Sequence, residues 1–306
     1  FSNKTINARS LQRLQIGSAS IEGGEAAASV AAANKALEQG ASSVIISNIA
    51  ADAADATIVI PEQATVDNEV SIEIENVAFD GEIVIEEADG VSNPVAVLNL
   101  TLPEDAIDNL VIDLPNTTVY VNGVIVNLTA ITAENTLVIS EGSEITNLII
   151  KGGNVFISAG ATVQAAERAD DNTDEVTYIY YEAGANVPAQ VGEGIILLGE
   201  AEMALREAIA EGGSYALTSD VVLSNPLVIN TDFTLSLNGY TISQEKECDD
   251  HYAMITNMGK FTILGEGAIT FEDLGAGPAD WSWGTYVIRN QGDLTISLGE
   301  NGKLEH

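Results

Sequence analysis

Phe233-Thr234-Leu235, Phe261-Thr262-Ile263 and Leu294-Thr295-Ile296 are one phrase written three times between Leu227 and Ile296. Each copy has the same approach. Leu227, Ile255 and Ile288 stand six positions before its first residue, and Thr231, Gly259 and Gly292 stand two before it. Each copy also runs into a turn signal: Asn238-Gly239, Gly265-Glu266-Gly267 and Gly299-Glu300-Asn301-Gly302. Starts at 233, 261 and 294 give spacings of 28 and 33 residues, the length of one turn of a strand-based solenoid. Apolar–Thr–apolar is the period-2 alternation of a half-buried strand, and one such strand cannot bury its apolar face alone. Stacked in register, Phe233, Phe261 and Leu294 form one buried column and Leu235, Ile263 and Ile296 the next. Each buried side chain contributes roughly 1.5–3 kcal/mol, a gain repeated at every turn, so the array is stable as an array.

The same register matches Asp232, Lys260 and Asp293. With parallel strands about 4.8 Å apart, Lys260 is expected between two carboxylates. Exposed pairs contribute only about 0.2–1 kcal/mol each, but they oppose a one-residue slip that would turn the apolar columns outward.

The chain has 306 residues, room for two domains. With 46 acidic against 11 basic residues and a net charge of −35, it lacks the basic footprint that nucleic acid requires, and polyanionic polysaccharides are disfavoured likewise. The acidity reads first as solubility of an exposed repetitive surface, and second as a sink for divalent cations. No apolar run approaches the roughly 20 residues of a membrane span. The lone cysteine, Cys248, forms no intramolecular disulfide. Leu304-Glu305-His306 reads as the start of a purification tag. The natural protein is expected to continue past Lys303, and a signal or anchor segment to have preceded Phe1.

Taken in order, residues 1–20 read as a tail or linker, 21–190 as a first strand-rich module and 191–303 as a second. Glu25 to Gln39 is Ala-rich with Val30, Ala33 and Leu37 on one face and Gly40 at its end, which predicts a helix with a glycine stop. Glu202 to Ala210 repeats the pattern before Gly212-Gly213. Each helix is expected to cap the end of a stack, where unpaired strand edges need cover. From 57 to 165 short alternating strands come densely but with an irregular period. Asn122-Gly123 between two of them is also a hairpin signal, so tandem antiparallel sandwiches stand as the alternative fold.

Two insertions interrupt the second module: Ser243 to Tyr252 and Glu272 to Thr285. They leave the stack at the same corner on consecutive turns, so they are expected to touch. Between them they hold Trp281, Trp283, Cys248 and His251, with Asp249, Asp250, Asp273 and Asp280. Rare residue types gathered on loops over a rigid scaffold mark a candidate site. The functional reading is a sugar-binding patch, in which Trp281, Trp283 and Tyr252 supply stacking faces while Asp250 and Asp280, with His251 beside them, accept hydrogen bonds from hydroxyls. The bland reading lays the indoles flat against the stack to shield its core. Paired loop carboxylates could also do acid–base work on a glycoside. Asp170, Asn172 and Asp174 follow the opening of a calcium loop, but Glu175 stands where a glycine belongs and no closing glutamate follows. Calcium is thus the sole cofactor considered.

The stretches Phe233-Thr-Leu-Ser-Leu-Asn-Gly-Tyr-Thr-Ile242, Ile255-Thr-Asn-Met-Gly-Lys-Phe-Thr-Ile263 and Ile288-Arg-Asn-Gln-Gly-Asp-Leu-Thr-Ile296 resemble right-handed parallel β-helix proteins of the pectate-lyase-like superfamily, particularly its bacterial secreted and surface repeat proteins. The resemblance implies an all-β fold: a right-handed parallel β-helix solenoid in two modules, each with a short N-terminal capping helix. It implies secretion or surface display, with a glycan or a host or cell-surface ligand as partner. Lyases of this fold hold calcium with carboxylates and use Arg or Lys as base; its galacturonases carry Gly-His-Gly and Arg-Ile-Lys stretches. Neither tripeptide occurs here. The expectation is therefore non-catalytic adhesion or glycan binding, against a polysaccharide-degrading enzyme or a structural stalk displaying a C-terminal domain.

Overall fold

The computed structural model describes residues 25–27, 29–49, 55–62, 68–78, 81–172, 176–188, 191–246, 252–274 and 285–306. They are predominantly β, with two helices, and every described strand pair is parallel. The chain divides between Leu197 and Leu198 into two compact units.

The first unit opens with β1 (Glu25–Ala27) and α1 (Val30–Glu38). Then come β2 (Ser43–Ile46), β3 (Asp55–Ile60), β4 (Glu69–Ile74), β5 (Glu82–Glu87), β6 (Val97–Thr101), β7 (Ile107–Asp113) and β8 (Thr118–Asn122). Two long strands, β9 (Val124–Ile139) and β10 (Glu144–Ile157), precede β11 (Thr162–Arg168), β12 (Thr177–Tyr181) and β13 (Ile195–Gly199). They form one large curled sheet with two paths. One runs β2-β4-β6-β8 and the other β3-β5-β7; both meet in β9, whose residues 125–131 pair with β7 and whose residues 137–139 pair with β8.

Register explains the irregular period. On one path Val44, Ile72, Leu100, Val121, Ile139 and Ile157 are partners in turn, all buried, at steps of 28, 28, 21, 18 and 18 residues. The core repeats faithfully while the connections shorten. The hairpin alternative fails at Asn122-Gly123. Gly123 (φ +150°) turns the chain from β8 into β9 without reversing it, and an added Cβ there would sit 2.5 Å from Leu102 Cβ. A repeat that the alternation concealed lies here: Ile107-Asp-Asn-Leu, Ile125-Val-Asn-Leu and Ile145-Thr-Asn-Leu stack in register. Asn127 Nδ2 donates to Asn109 Oδ1 (3.0 Å), and Asn147 Nδ2 donates to Asn127 Oδ1 (2.9 Å).

The first helix begins later than its composition suggested. Ser29 caps it, accepting from the Ala32 amide at 3.3 Å, and Glu25–Ala27 form a strand on β2 instead. Alanine permits helix, but an N-cap serine fixes where the backbone turns. Buried Ala33 and Leu37 seat α1 on the sheet. Asn34 donates to Thr57 O (2.9 Å) and accepts from Val59 N (3.0 Å), so its amide satisfies β3 as a neighbouring strand would.

The second unit carries α2 (Glu200–Glu211), closed by Gly212 at φ +75°. Its strands are β14 (Gly213–Ala216), β15 (Val221–Val222), β16 (Leu227–Ile229), β17 (Asp232–Ser236), β18 (Thr241–Lys246), β19 (Ala253–Asn257), β20 (Lys260–Gly265), β21 (Ala268–Asp273), β22 (Tyr286–Asn290), β23 (Asp293–Leu298) and β24 (Lys303–Glu305). They form three parallel sheets, β14-β17-β20-β23, β15-β18-β21-β24 and β16-β19-β22. The expected register is the observed one: Phe233, Phe261 and Leu294 align, as do Leu235, Ile263 and Ile296, and Leu227, Ile255 and Ile288. The Phe233 and Phe261 rings stack at 6.2 Å and 16°. Asp232, Lys260 and Asp293 align too. However, the three described ion pairs, Lys151–Asp171, Arg206–Glu202 and Lys303–Glu305, do not include Lys260. A long exposed side chain gains too little in water to be held in one geometry.

Candidate functional site

The two insertions leave from neighbouring strands. The six residues of β18 pair with the six of β21, Thr241 with Ala268 through Lys246 with Asp273. The chain returns at Tyr252 and Thr285, where the Tyr286 amide donates to Tyr252 O at 2.8 Å and Ala253 partners Tyr286. Both loops therefore depart and return side by side on consecutive turns, as the spacing implied. Cys248, Asp250, His251, Asp280, Trp281 and Trp283 lie outside the described residues, as does Asp174.

The described flank of this corner is an open pocket of about 420 Å³ along β18 and β21, bounded by Ser243, Gln244, Glu245, Thr270, Phe271, Glu272 and Asp273, with Glu305 and His306, which the sequence reads as tag, on its remaining side. Tyr252 stands against it. Its ring stacks on Phe271 (5.4 Å, 26°), and its hydroxyl donates to Gln244 Oε1 at 2.9 Å. The His306 ring meets Phe271 edge-on at 5.4 Å. Tyr252 is thus partly committed to the wall rather than standing free as a stacking platform.

Gln244 is the unexpected member. It follows Ile242 on the inward face of β18, it is only 2% exposed, and its Nε2 has no hydrogen-bond partner among the described residues. A buried unmet donor costs about 1–3 kcal/mol. The sequence did carry the signal: in register with Phe271, an amide occupies an apolar position. The arrangement offers carboxylate and hydroxyl acceptors beside an aromatic edge. That set suits a neutral polyhydroxylated ligand and repels anions.

Asp170 is exposed, and Asn172 Nδ2 donates to Ile150 O (3.0 Å) and Thr177 Oγ1 (3.3 Å), tying its turn to β10 and β12. Among the described residues no three His, Cys, Asp or Glu side chains gather as a metal site, and no helix is long and apolar enough to cross a membrane. Tyr178 and Tyr180 stack at 6.0 Å; Tyr180 is buried, on the side of β12 opposite Ile179.

No protein-family model, curated protein or solved structure matches this chain.

Proposed function

We propose that the chain is a right-handed parallel β-helix in two helix-capped modules, and that it binds glycans without catalysis at the corner where its paired loops leave β18 and β21. The observation that carries this reading is the shared departure and return of the two loops beside the cavity. The ends of the loop that carries Trp281 and Trp283 in sequence lie beside the ends of the loop that carries Asp250 and His251, along hydroxyls and carboxylates of β18 and β21. Indoles supply flat apolar faces for pyranose rings, and sugar hydroxyls donate to carboxylates while accepting from amides. Secretion or surface display, in the manner of the bacterial repeat proteins, belongs to the same proposal. The purely parallel pairing and the three-sheet cross-section of the second unit support the solenoid part. The α1 amide that completes the edge of β3 supports the capping part.

A glycan array probed with the intact chain and with a Trp281→Ala, Trp283→Ala double variant of equal thermal stability tests the reading. Binding that disappears in the variant supports it. No binding, or binding untouched by the change, rules out the patch and leaves the stalk. Release of reducing sugar from any glycan retained would make the protein an enzyme instead.

A further inference from the structure

Among the described residues of the second unit, Gln244 Nε2 is the one buried side-chain polar atom without a hydrogen-bond partner. Three register pairs surround it. Ser243 lies beside Thr270, Gln244 beside Phe271 and Glu245 beside Glu272, and all of them line the pocket. Strand alternation puts the amide and the ring in one row, and the hydroxyls and carboxylates in the other. None of these residues belongs to the stretch that reads as a tag.

These groups select among the substituents a sugar can carry. Gln244 Oε1 already accepts from the Tyr252 hydroxyl at 2.9 Å, which leaves the Nε2 hydrogens to donate. Whatever meets them must accept. A sugar hydroxyl accepts, but it brings a hydrogen of its own into a buried place, where that hydrogen needs an acceptor in turn. A sugar carboxylate brings no hydrogen, yet it would sit beside Glu245, Glu272 and Asp273, and like charges repel. A neutral amide carbonyl accepts, carries no hydrogen on its oxygen and adds no charge.

We infer that the pocket takes a 2-acetamido sugar, with Gln244 Nε2 donating to the acetamido carbonyl. The acetamido methyl packs on the Phe271 ring, and its N–H donates to the Glu245 or Glu272 carboxylate. Gln244 is thereby the residue that sets specificity, while the stacking faces supply general affinity for pyranose rings. This inference rests on the glycan-binding reading above and names the sugar class of that same site.

The test titrates the full chain with two trimers of the same β-1,4 backbone, triacetylchitotriose and cellotriose, which differ at C2 in acetamido against hydroxyl. Calorimetry should show triacetylchitotriose bound about tenfold more tightly, the worth of one hydrogen bond. Gln244→Met should bring the two affinities together by weakening triacetylchitotriose alone; circular dichroism checks its fold. A purely structural role for Gln244 would weaken both trimers alike, and that result overturns the inference. Glu305→Gln with His306→Ala should leave the preference intact; its loss would make the tag the binder and overturn the inference. Equal binding of the two trimers, abolished by Trp281→Ala, Trp283→Ala, overturns the acetamido assignment and keeps the glycan reading. Binding of neither trimer overturns the assignment, and the glycan array then decides the glycan reading separately.

Discussion

At the scale of single residues, two glycines show how tightly the stack constrains its members. Gly259 and Gly292 do not sit in the left-handed region; glycine is required there because a Cβ has no room against the carbonyl of the turn below. Gly259→Ala is therefore expected to cost about 1–3 kcal/mol, as overpacking does, read from the urea midpoint. Gly239→Ala should cost less, near 1 kcal/mol. That residue has φ +88° but open space around it, so only backbone strain is at stake. Tyr180 gives a pH signature. Burial, and then the neighbouring Tyr178, push its hydroxyl up to about 12. Between pH 10 and 12 the unfolded chain gives up this proton and the folded one keeps it. Its contribution is thus whole below pH 10 and declines by on the order of 2 kcal/mol as the pH rises to 12. Alkaline unfolding of a Tyr180→Phe variant should lack that slope. Gln244→Met should leave stability within about 1 kcal/mol, since it removes an unmet donor along with an acceptor for Tyr252, yet weaken glycan binding on the array.

At the scale of elements, α2 is held by a group that patterning conceals. Glu202 looks like one more surface carboxylate of a helix first turn, yet it is 1% exposed. It accepts from Arg206 Nη2 (2.7 Å), from Arg206 Nε (2.9 Å), and from the Ser224 amide and hydroxyl. Arg206 in turn donates to Pro226 O and Asn225 O, so one pair fastens the helix to the segment ahead of β16. Glu202→Ala should cost about 3 kcal/mol, because it strands a partly buried guanidinium and the Ser224 amide; thermal unfolding measures it. The i,i+4 spacing of Glu202 and Arg206 was visible in the sequence. The burial was not, because it depends on a partner 22 residues away in the chain. The same limit hid the Asn109–Asn127–Asn147 column. Its phrase recurs at steps of 18 and 20 residues, against 28 and 33 in the repeat that decided the fold. β1 was missed because alanine suits a helix while the pairing partner, β2, settled the outcome.

At the scale of the molecule, parallel stacking was legible because one phrase fixed the register of three turns, and the side-by-side departure of two loops was legible because two insertions interrupted that register at matched places. The lining of the cavity was not, since Gln244 and Phe271 meet only when the turns are stacked. The net charge of −35 acts on the whole: repulsion among like charges opposes compaction and is screened within about 10 Å at 0.1 M salt. Raising sodium chloride from 20 mM to 0.5 M should raise the unfolding temperature by a few degrees, read by calorimetry. The site and the glycine requirement both rest on one claim, that equivalent residues of successive turns lie one strand apart in parallel register. Spin labels at Thr234→Cys and Thr262→Cys, in a chain carrying Cys248→Ser, test it most directly. Register-matched parallel strands put those labels about 4.8 Å apart at the backbone, so the continuous-wave spectrum should collapse to an exchange-narrowed line. The Thr234, Thr295 pair, two strands apart, should show only dipolar broadening. Two non-interacting spectra would contradict the account.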